Sequence, residues 1–322
     1  MKFNRYFIKK NRYLKTVIFS LGFLFFWIYL IVKWVDFVYS EKIVTNILRN
    51  IAFEVILNPA FYLIVIAILY LELIIPAKRD QKIFSVGMIQ DIVWFIFDII
   101  LTIALLSPYV ALLQSISENY LEFLNIKIFN NLPSEVIFLI SILVSDFLLW
   151  FSHFIRHKIP ILWCFHAVHH SQKELNLFSD LRFHFVDYLF TYTVVVIPMS
   201  VFKIPLPTVA IYLITLKWYL RFCHANLKIN FGWLRYILVT PQSHRIHHSI
   251  ETKHYDKNFA SLFSIWDYLF NTQYKNHREY PDTGLSDRNF PLEKSINAQN
   301  LLKTYFLQLI YPFRLLLRIF VN

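Results

Sequence analysis

The chain has few cysteines, glycines and charged residues, and each shortage excludes a class of protein. Two cysteines, Cys164 and Cys223, among 322 residues are too few for a disulfide framework and are expected to be packing residues. Four glycines leave no glycine-rich loop that could bind a phosphate or a dinucleotide. Charged residues make up 16% of the chain and hydrophobic residues 57%, which is outside the range of ordinary soluble domains. The composition therefore predicts a membrane protein.

Long apolar runs predict an all-α, polytopic membrane protein. A helix needs about 20 apolar residues to cross a bilayer. Runs that approach or exceed this length lie at residues 16–32, 51–75, 93–113 and 136–155. A further apolar region, residues 186–223, is interrupted by the sequence FKIPLP at residues 202–207, which predicts a helical hairpin.

The net charge of +11 is distributed as expected for a chain whose N-terminus stays in the cytoplasm. Basic residues, with no acidic residue among them, precede the first apolar run: Lys2, Arg5, Lys9, Lys10, Arg12 and Lys15. Under the positive-inside rule, the later crossings bring Arg156, His157 and Lys158 back to the cytoplasmic side. No nucleic-acid-binding motif accompanies the basic residues, so no nucleic-acid partner is expected.

Histidines are concentrated in short clusters with helical spacing. The first is H-x-x-x-H, and the pattern H-x-x-H-H then occurs twice, in FHAVHH and SHRIHH. Residues four apart lie on one face of a helix about 6 Å apart, so each cluster can direct imidazoles to one site. Two crossings within the predicted hairpin separate the clusters, which can therefore meet on the cytoplasmic side. The clustered residues are His153, His157, His166, His169, His170, His244, His247 and His248, and His224 in RFCHAN is a further candidate.

These imidazoles indicate a site for two metal ions, because they exceed the coordination capacity of one. Imidazole suits iron, zinc and copper. The lack of clustered thiolates disfavours structural zinc, and Phe154 stands where a zinc protease has glutamate. A haem with two histidine ligands would explain fewer of the histidines. A pair of irons facing a hydrophobic pocket would suit dioxygen activation and attack on an unactivated C–H bond.

The ordered set of three clusters resembles the fatty acid hydroxylase/sterol desaturase superfamily of membrane di-iron enzymes. The resemblance covers roughly residues 146–273, and HHSQKELNLFSDLRFH and TPQSHRIHHS look most like bacterial members of the sterol-desaturase type. It implies that the eight motif histidines ligate two irons and that His224 joins them, with no catalytic residue beyond the metal ligands. It also implies that O2, as co-substrate, hydroxylates or desaturates a membrane lipid such as a sterol or fatty acyl chain. The expected location is the bacterial inner membrane, with the active site on its cytoplasmic side.

Metal-bound imidazoles need hydrogen-bond partners that fix their tautomers. Asp146, two helical turns before His153, is either such a partner or a structural polar contact. The weaker candidates are His184 in LRFH, and His254, Asp256 and Asn258 in HYDKN. The chain departs from the family pattern at Ala260 and Asn271, where relatives often have glycine. Asparagine tolerates a left-handed backbone better than most residues, so the second change is mild.

The chain is expected to need an external electron donor, because it has no glycine-rich flavin loop and no recognisable haem-carrier domain. A separate ferredoxin, haem protein or reductase would dock on the basic cytoplasmic face. We expect an N-terminal membrane region at residues 1–135, a catalytic domain at 136–290 and an interfacial amphipathic helix within 291–322. The alternatives are a non-oxidative metal-binding membrane protein, such as a dizinc hydrolase or metal transporter, and a non-catalytic lipid-binding relative.

Overall fold

The computed structural model describes residues 59–101, 105–124, 132–204 and 206–321. Within these ranges the chain is helical, with isolated β-bridges and no strand, so the predicted all-α class is confirmed for this part. The expected first apolar span, residues 16–32, and the start of the second, 51–58, lie outside the described residues. The expected third span, 93–113, falls across two helices on either side of residues 102–104, which are also not described.

Ten α-helices form the described part of the chain, joined by loops that contain short 3-10 turns. They are α1 Pro59–Ile74, α2 Val86–Leu101, α3 Ser107–Tyr120, α4 Ser134–Lys158, α5 Pro160–His166, α6 Phe185–Val201, α7 Leu206–His224, α8 Pro241–His247, α9 Ile265–Leu269 and α10 Ala298–Val321.

Helix α4 is the longest of these helices and carries the first histidine cluster at its C-terminal end. Glu135 in the first turn and Arg156 to Lys158 in the last turn complement the helix dipole. The helix stops before Pro160 because the preceding residue, Ile159, is held in the extended conformation, and Pro160 then begins α5. Among the described residues, α4 is the one helix long and apolar enough to cross a membrane.

Helices α6 and α7 form the hairpin predicted from the interrupted apolar region. The chain reverses after Val201, with Lys203 in the left-handed conformation at φ 51°. Helix α6 packs against α3 and α4, while α7 packs against α4 and α8. Met199 and Leu216 lie in the buried apolar cluster that α4 shares with the hairpin. This packing places the C-terminal end of α7 beside that of α4.

The C-terminal helix α10 has a buried face and an exposed apolar face. Its buried side packs on α2 and α5, and Trp94 of α2 donates a hydrogen bond from Nε1 to Gln308 Oε1 at 2.8 Å. The exposed positions Leu302, Phe306 and Ile310 recur every four residues and so form one stripe. The helix is therefore two-sided, as its sequence pattern predicts.

Candidate metal centre

Nine histidines of the described chain converge in two groups, in each of which the candidate ligand atoms lie within 4.8 Å of one another. Group one consists of His153, His157, His166, His170 and His247. Group two consists of His169, His224, His244 and His248. All nine histidines singled out in the sequence are thus brought together, and His224 is among them.

Each H-x-x-H-H box is divided between the two groups. The residues four apart stay together, with His166 and His170 in group one and His244 and His248 in group two. The residue between them joins the opposite group, so His169 belongs to group two and His247 to group one. Neighbouring residues in the chain therefore serve different groups, and the two groups interlock.

Short helices and turns produce this division. Helix α5 ends at His166, and after two intervening residues a 3-10 turn follows at His169–Ser171. Helix α8 begins at Pro241 behind a capping box, in which Thr240 and Ser243 each bond the other's backbone N–H. Because α8 ends at His247, His248 lies just beyond the last helical turn. Both boxes thus lie at the C-terminal end of a seven-residue helix.

Three of the five imidazoles of group one are anchored through Nδ1. His153 Nδ1 donates to the Phe259 carbonyl, His247 Nδ1 to the Lys257 carbonyl and His166 Nδ1 to Asp187 Oδ2, each at 2.8 Å. With the proton on Nδ1, Nε2 carries a lone pair. The Nε2 atoms of all five group-one histidines are buried without a hydrogen-bond partner in the described part of the chain. They form a concentration of unpaired acceptors that a cation would satisfy.

The imidazoles of group two instead meet through their Nε2 atoms. His224 Nε2 lies 3.3 Å from His169 Nε2 and 3.0 Å from His244 Nε2, and His248 Nε2 lies 3.2 Å from His244 Nε2. His224 Nδ1 donates to the Leu220 carbonyl at 2.7 Å, which leaves its Nε2 as an acceptor facing the others. Four nitrogens converging at these distances fit a shared cation better than a set of hydrogen bonds among neutral rings.

Burial keeps these imidazoles neutral, which is the form that binds metal. It lowers the pKa of His247 from the ordinary 6.5 to about 4, and lowers the pKa values of His166, His169 and His244 well below 6.5. As pH falls below about 6.5, histidines in the unfolded chain bind protons, whereas the buried rings of the folded chain stay neutral. The free energy of unfolding therefore decreases toward pH 4. Near neutral pH the donors are ready for a metal.

The donor set suits two ions of iron, zinc or copper. Group one supplies five imidazoles and group two supplies four, and neither contains a carboxylate or thiolate ligand among the described residues. A third collection of potential ligands, Glu251, His254 and Glu279, differs in kind. Lys253 Nζ pairs with both of its carboxylates, at 3.1 and 2.8 Å, so these acids already have a cationic partner from the protein.

Asp187 is a functional candidate that the sequence reasoning missed. It lies in the first turn of α6, is buried, and joins His166 to Arg156, whose Nη1 is 3.4 Å from its Oδ2. A carboxylate behind a metal-binding imidazole raises the basicity of the ring and fixes its orientation. The available signal was an acid at the entry to an apolar helix.

Asp146 holds a loop and is not hydrogen-bonded to any of the nine histidines. Its Oδ1 accepts from Tyr212 Oη at 2.5 Å and from the Leu262 backbone N–H at 3.1 Å. Its Oδ2 accepts from the Phe263 backbone N–H at 3.0 Å and Trp266 Nε1 at 2.8 Å. The geometry favours the structural contact, one of the two roles considered for this residue.

The other residues expected to support the histidines have different partners. His184 caps α6 and bonds the Leu309 carbonyl at 3.1 Å, and His254 bonds Ser249 and Glu279. Asp256 pairs at 2.5 Å with Lys158 on the surface. Asn258, in the left-handed conformation at φ 58°, bonds the Ser243 carbonyl and the Tyr274 N–H. They shape the loops around α8 and the start of α6.

Asp267 orients the loop that anchors His153. Its carboxylate accepts from the backbone N–H groups of Phe259 and Ala260, both at 2.9 Å, and from Trp150 Nε1 at 3.0 Å. These bonds fix the peptide whose carbonyl faces His153 Nδ1. Ala260 therefore leaves the loop intact, and Asn271 adopts the left-handed conformation at φ 56°, as its tolerance for that region suggests.

A buried ion network braces the chain that follows the first H-x-x-H-H box. Arg182 Nε donates to Asp91 Oδ1 at 2.6 Å, and Asp91 Oδ2 accepts from Gln172, Asn176 and Ser179 at 2.7 to 3.0 Å. Helix α2 thereby holds this loop in place. A residue outside the histidine-bearing segment thus helps to position the site.

A cavity of about 150 Å³ reaches both groups of histidines. It is lined by His153 and His166 of group one, and by His169, His224 and His244 of group two. Its apolar walls come from α4 and the hairpin: Leu149, Val195, Leu213, Leu216 and Leu220. Its polar lining includes Arg156, Asp180, Tyr188, Thr191, Tyr192 and Lys217. An apolar molecule in this cavity would lie beside both groups of histidines.

The fold brings two groups of histidines together among apolar helices, and each group could hold a metal ion. In comparison with known proteins, residues 138–272 match the family model described as fatty acid hydroxylase. The predicted resemblance to the fatty acid hydroxylase/sterol desaturase superfamily is confirmed over this segment. No solved structure matches the chain significantly.

The similar curated proteins include two named lipid-oxidising activities. Alkylglycerol monooxygenase of Xenopus tropicalis is 34% identical over 133 residues, which is 41% of this chain and 29% of the relative. Ornithine lipid hydroxylase OlsE of Rhizobium tropici is 32% identical over 133 residues, covering 41% of this chain and 40% of the relative. Human alkylglycerol monooxygenase is 35% identical over 127 residues, which is 39% of this chain and 28% of the relative. The matched segment thus spans less than half of each relative.

Proposed function

We propose that this protein hydroxylates a membrane lipid, using O2 and two iron ions held by its nine converging histidines. The observation that carries the proposal is the concentration of five buried, unpaired Nε2 atoms in group one beside a second group of four imidazoles, both lining an apolar cavity. An all-imidazole site next to apolar walls suits oxidation of a hydrocarbon better than chemistry on a charged, hydrated substrate.

Group one would hold one iron and group two the other. When bound, the irons supply the redox chemistry that activates dioxygen against an unactivated C–H bond. In the balanced reaction, one oxygen atom enters the C–H bond to give an alcohol. The other oxygen atom leaves as water, with two electrons and two protons taken up from outside.

The chain's own residues orient the imidazoles, position the lipid chain and exclude water. The Phe259 and Lys257 carbonyls and Asp187 fix the tautomers of three group-one imidazoles before any substrate binds. The apolar side chains of α4 and the hairpin exclude water from the cavity and present a lipid chain to the histidines.

Hydroxylation is preferred to desaturation because the relatives are named monooxygenase and hydroxylase. Their names specify different lipids, an alkylglycerol and an ornithine lipid. The substrate of this chain is therefore proposed only as a membrane lipid with an oxidisable chain.

We place the protein in a bacterial inner membrane as a multi-pass protein with the centre on the cytoplasmic side. The basic residues that flank the apolar runs support this orientation. The exposed apolar stripe of α10 supports an interfacial position for that helix. The proposed regions remain residues 1–135, 136–290 and 291–322, and electrons would come from a separate ferredoxin, haem protein or reductase.

The test is oxidation of membrane lipids under isotopically labelled dioxygen. Full-length protein, purified in detergent and loaded with iron, should contain about two irons per chain. With a reductant it should add one labelled oxygen atom to a lipid from a bacterial membrane extract, as measured by mass spectrometry. Protein loaded with zinc is the matched control. Protein that binds no metal would contradict the proposal, and so would a product formed equally without oxygen, which would indicate a hydrolase.

A further inference from the structure

Asp180 differs from three other buried acids, Asp91, Asp146 and Asp267, in how its carboxylate is paired. Asp91, Asp146 and Asp267 each accept hydrogen bonds on both oxygens. Asp180 is also buried, with 7% of its side chain exposed, and its Oδ2 lies 3.4 Å from Arg221 Nε. Its Oδ1 is buried without a hydrogen-bond partner among the described residues. One acceptor oxygen of this carboxylate is therefore buried and unpaired.

The unpaired oxygen belongs to a residue that lines the cavity shared by both groups of histidines. Asp98 also has an unpaired Oδ1, but it is not part of the cavity lining. Buried carboxylate oxygens normally have donors, and an exception inside a ligand cavity indicates a donor supplied by the ligand.

The backbone around Asp180 is held rigidly. Its neighbour Ser179 donates from Oγ to Asp91 Oδ2 at 3.0 Å, and also accepts from the Asn176 N–H at 3.0 Å. Arg182, two residues after Asp180, donates a hydrogen bond to Asp91 Oδ1 at 2.6 Å. The short turn Ser179–Leu181 is thus held at both ends, so the protein itself fixes the backbone at Asp180.

We propose that Asp180 is a specificity-determining residue that accepts a hydrogen bond from a hydroxyl group of the lipid whose chain occupies the cavity. The inference rests on the proposed function, since it assumes that the cavity takes a lipid. A neutral hydroxyl fits better than an ammonium group because two cations, Arg221 and Lys217, already adjoin this carboxylate. Apolar walls on one side and a single acceptor on the other suit a chain that bears one polar end.

Burial supports the assignment by raising the pKa of Asp180 to about 7, against the opposing effect of Arg221 and Lys217. The carboxyl group is thus costly to keep ionised without a donor. A hydroxyl in the cavity would supply that donor.

The experiment compares binding of two probes to zinc-loaded, full-length protein, which cannot turn them over. The probes are hexadecylglycerol and its dimethyl ether, in which both hydroxyl groups are capped. The natural chain should bind the free diol about ten-fold more tightly, because the ether has no donor for Asp180. Native mass spectrometry in detergent gives the ratio. Equal binding of the two probes by the natural chain would overturn the proposal without requiring any variant.

Substitutions then assign the preference to Asp180. Asp180→Leu should abolish it, and Asp180→Asn, which keeps an acceptor oxygen but no charge, should reduce it to a few-fold. Asp282→Asn, at an exposed acid paired with Lys78, is the control and should keep the full preference. An unchanged preference in Asp180→Asn, or a ten-fold preference surviving in Asp180→Leu, would overturn the proposal.

The readout separates this inference from the proposed function. Selective binding by zinc-loaded protein needs no iron, oxygen or reductant. A loss of labelled product with the preference intact would contradict hydroxylation alone, whereas labelled product without any preference would contradict the role of Asp180 alone.

Discussion

The two groups of histidines contain the same side chain but are held in different ways. In group one, three imidazoles are anchored through Nδ1 by two carbonyls and a carboxylate. In group two, the Nδ1 atoms of His169, His244 and His248 are buried without a partner among the described residues. Three of the five rings in group one are thus held through Nδ1 by other parts of the protein, whereas three of the four rings in group two have no such anchor in the described part of the chain. Two sites built from the same ligand side chain can therefore differ in how firmly the protein holds those side chains in place.

The largest expected effect comes from removing one histidine ligand from either group. His169→Ala should leave group one with its full set and retain about one iron per chain, while hydroxylation falls by more than about 100-fold because the second iron is lost. His247→Ala should also abolish hydroxylation. It removes an anchored ligand, and four imidazoles then remain in group one.

Metal analysis of purified variants, alongside the labelled-oxygen assay, measures both results. His277→Ala is the control, since His277 lies outside both groups. Full activity in either ligand variant would be incompatible with the assigned centre.

A smaller effect is expected from the anchor itself. Asp187→Asn keeps the size of the side chain but removes the charge that holds His166 Nδ1, so metal affinity or activity should fall by about 10–100-fold. The matched control is Asp256→Asn, at a surface acid paired with Lys158, which should leave both unchanged. Iron affinity, measured by competition with a chelator, provides the readout. If both substitutions had the same effect, the anchoring role of Asp187 would be wrong.

The smallest effect on the centre is expected from Asp146→Asn. This change weakens the acceptors for Tyr212 and the loop at residues 262–266, and should lower the free energy of unfolding by about 1–3 kcal/mol. The iron content should stay at the level of the natural chain, because Asp146 bonds none of the histidines. Thermal unfolding in detergent and metal analysis test the two parts separately. A loss of iron from a folded Asp146→Asn protein would show that this residue does support the centre.

Spacing explains why the histidines could be predicted while their supports could not. Residues four apart must share a helix face, so pairs such as His153 and His157 are visible in the sequence. The partners of the ligands depend on tertiary contacts, and two of them are backbone carbonyls, which every residue has. Asp187 follows His166 by 21 residues and meets it because α6 packs on α5.

In the fold, too, one feature could be predicted from the sequence and another could not. The proline-containing break at residues 202–207 was sufficient to predict the hairpin, because proline disfavours a continuous helix there. The division of each H-x-x-H-H box could not be derived, since His166 can share a face with either His169 or His170. It depends on where α5 ends and the 3-10 turn begins, and element ends are set by local packing.

The alternation of His169 and His170 between groups makes the length of this segment a functional property of the protein. Each added residue rotates the positions that follow it by about 100° in an α-helix and about 120° in a 3-10 turn. A single inserted alanine between His166 and His169 would therefore turn both later imidazoles away from their groups, although every histidine would still be present. The chain should tolerate changes in what lies between these histidines far better than changes in how many residues separate them.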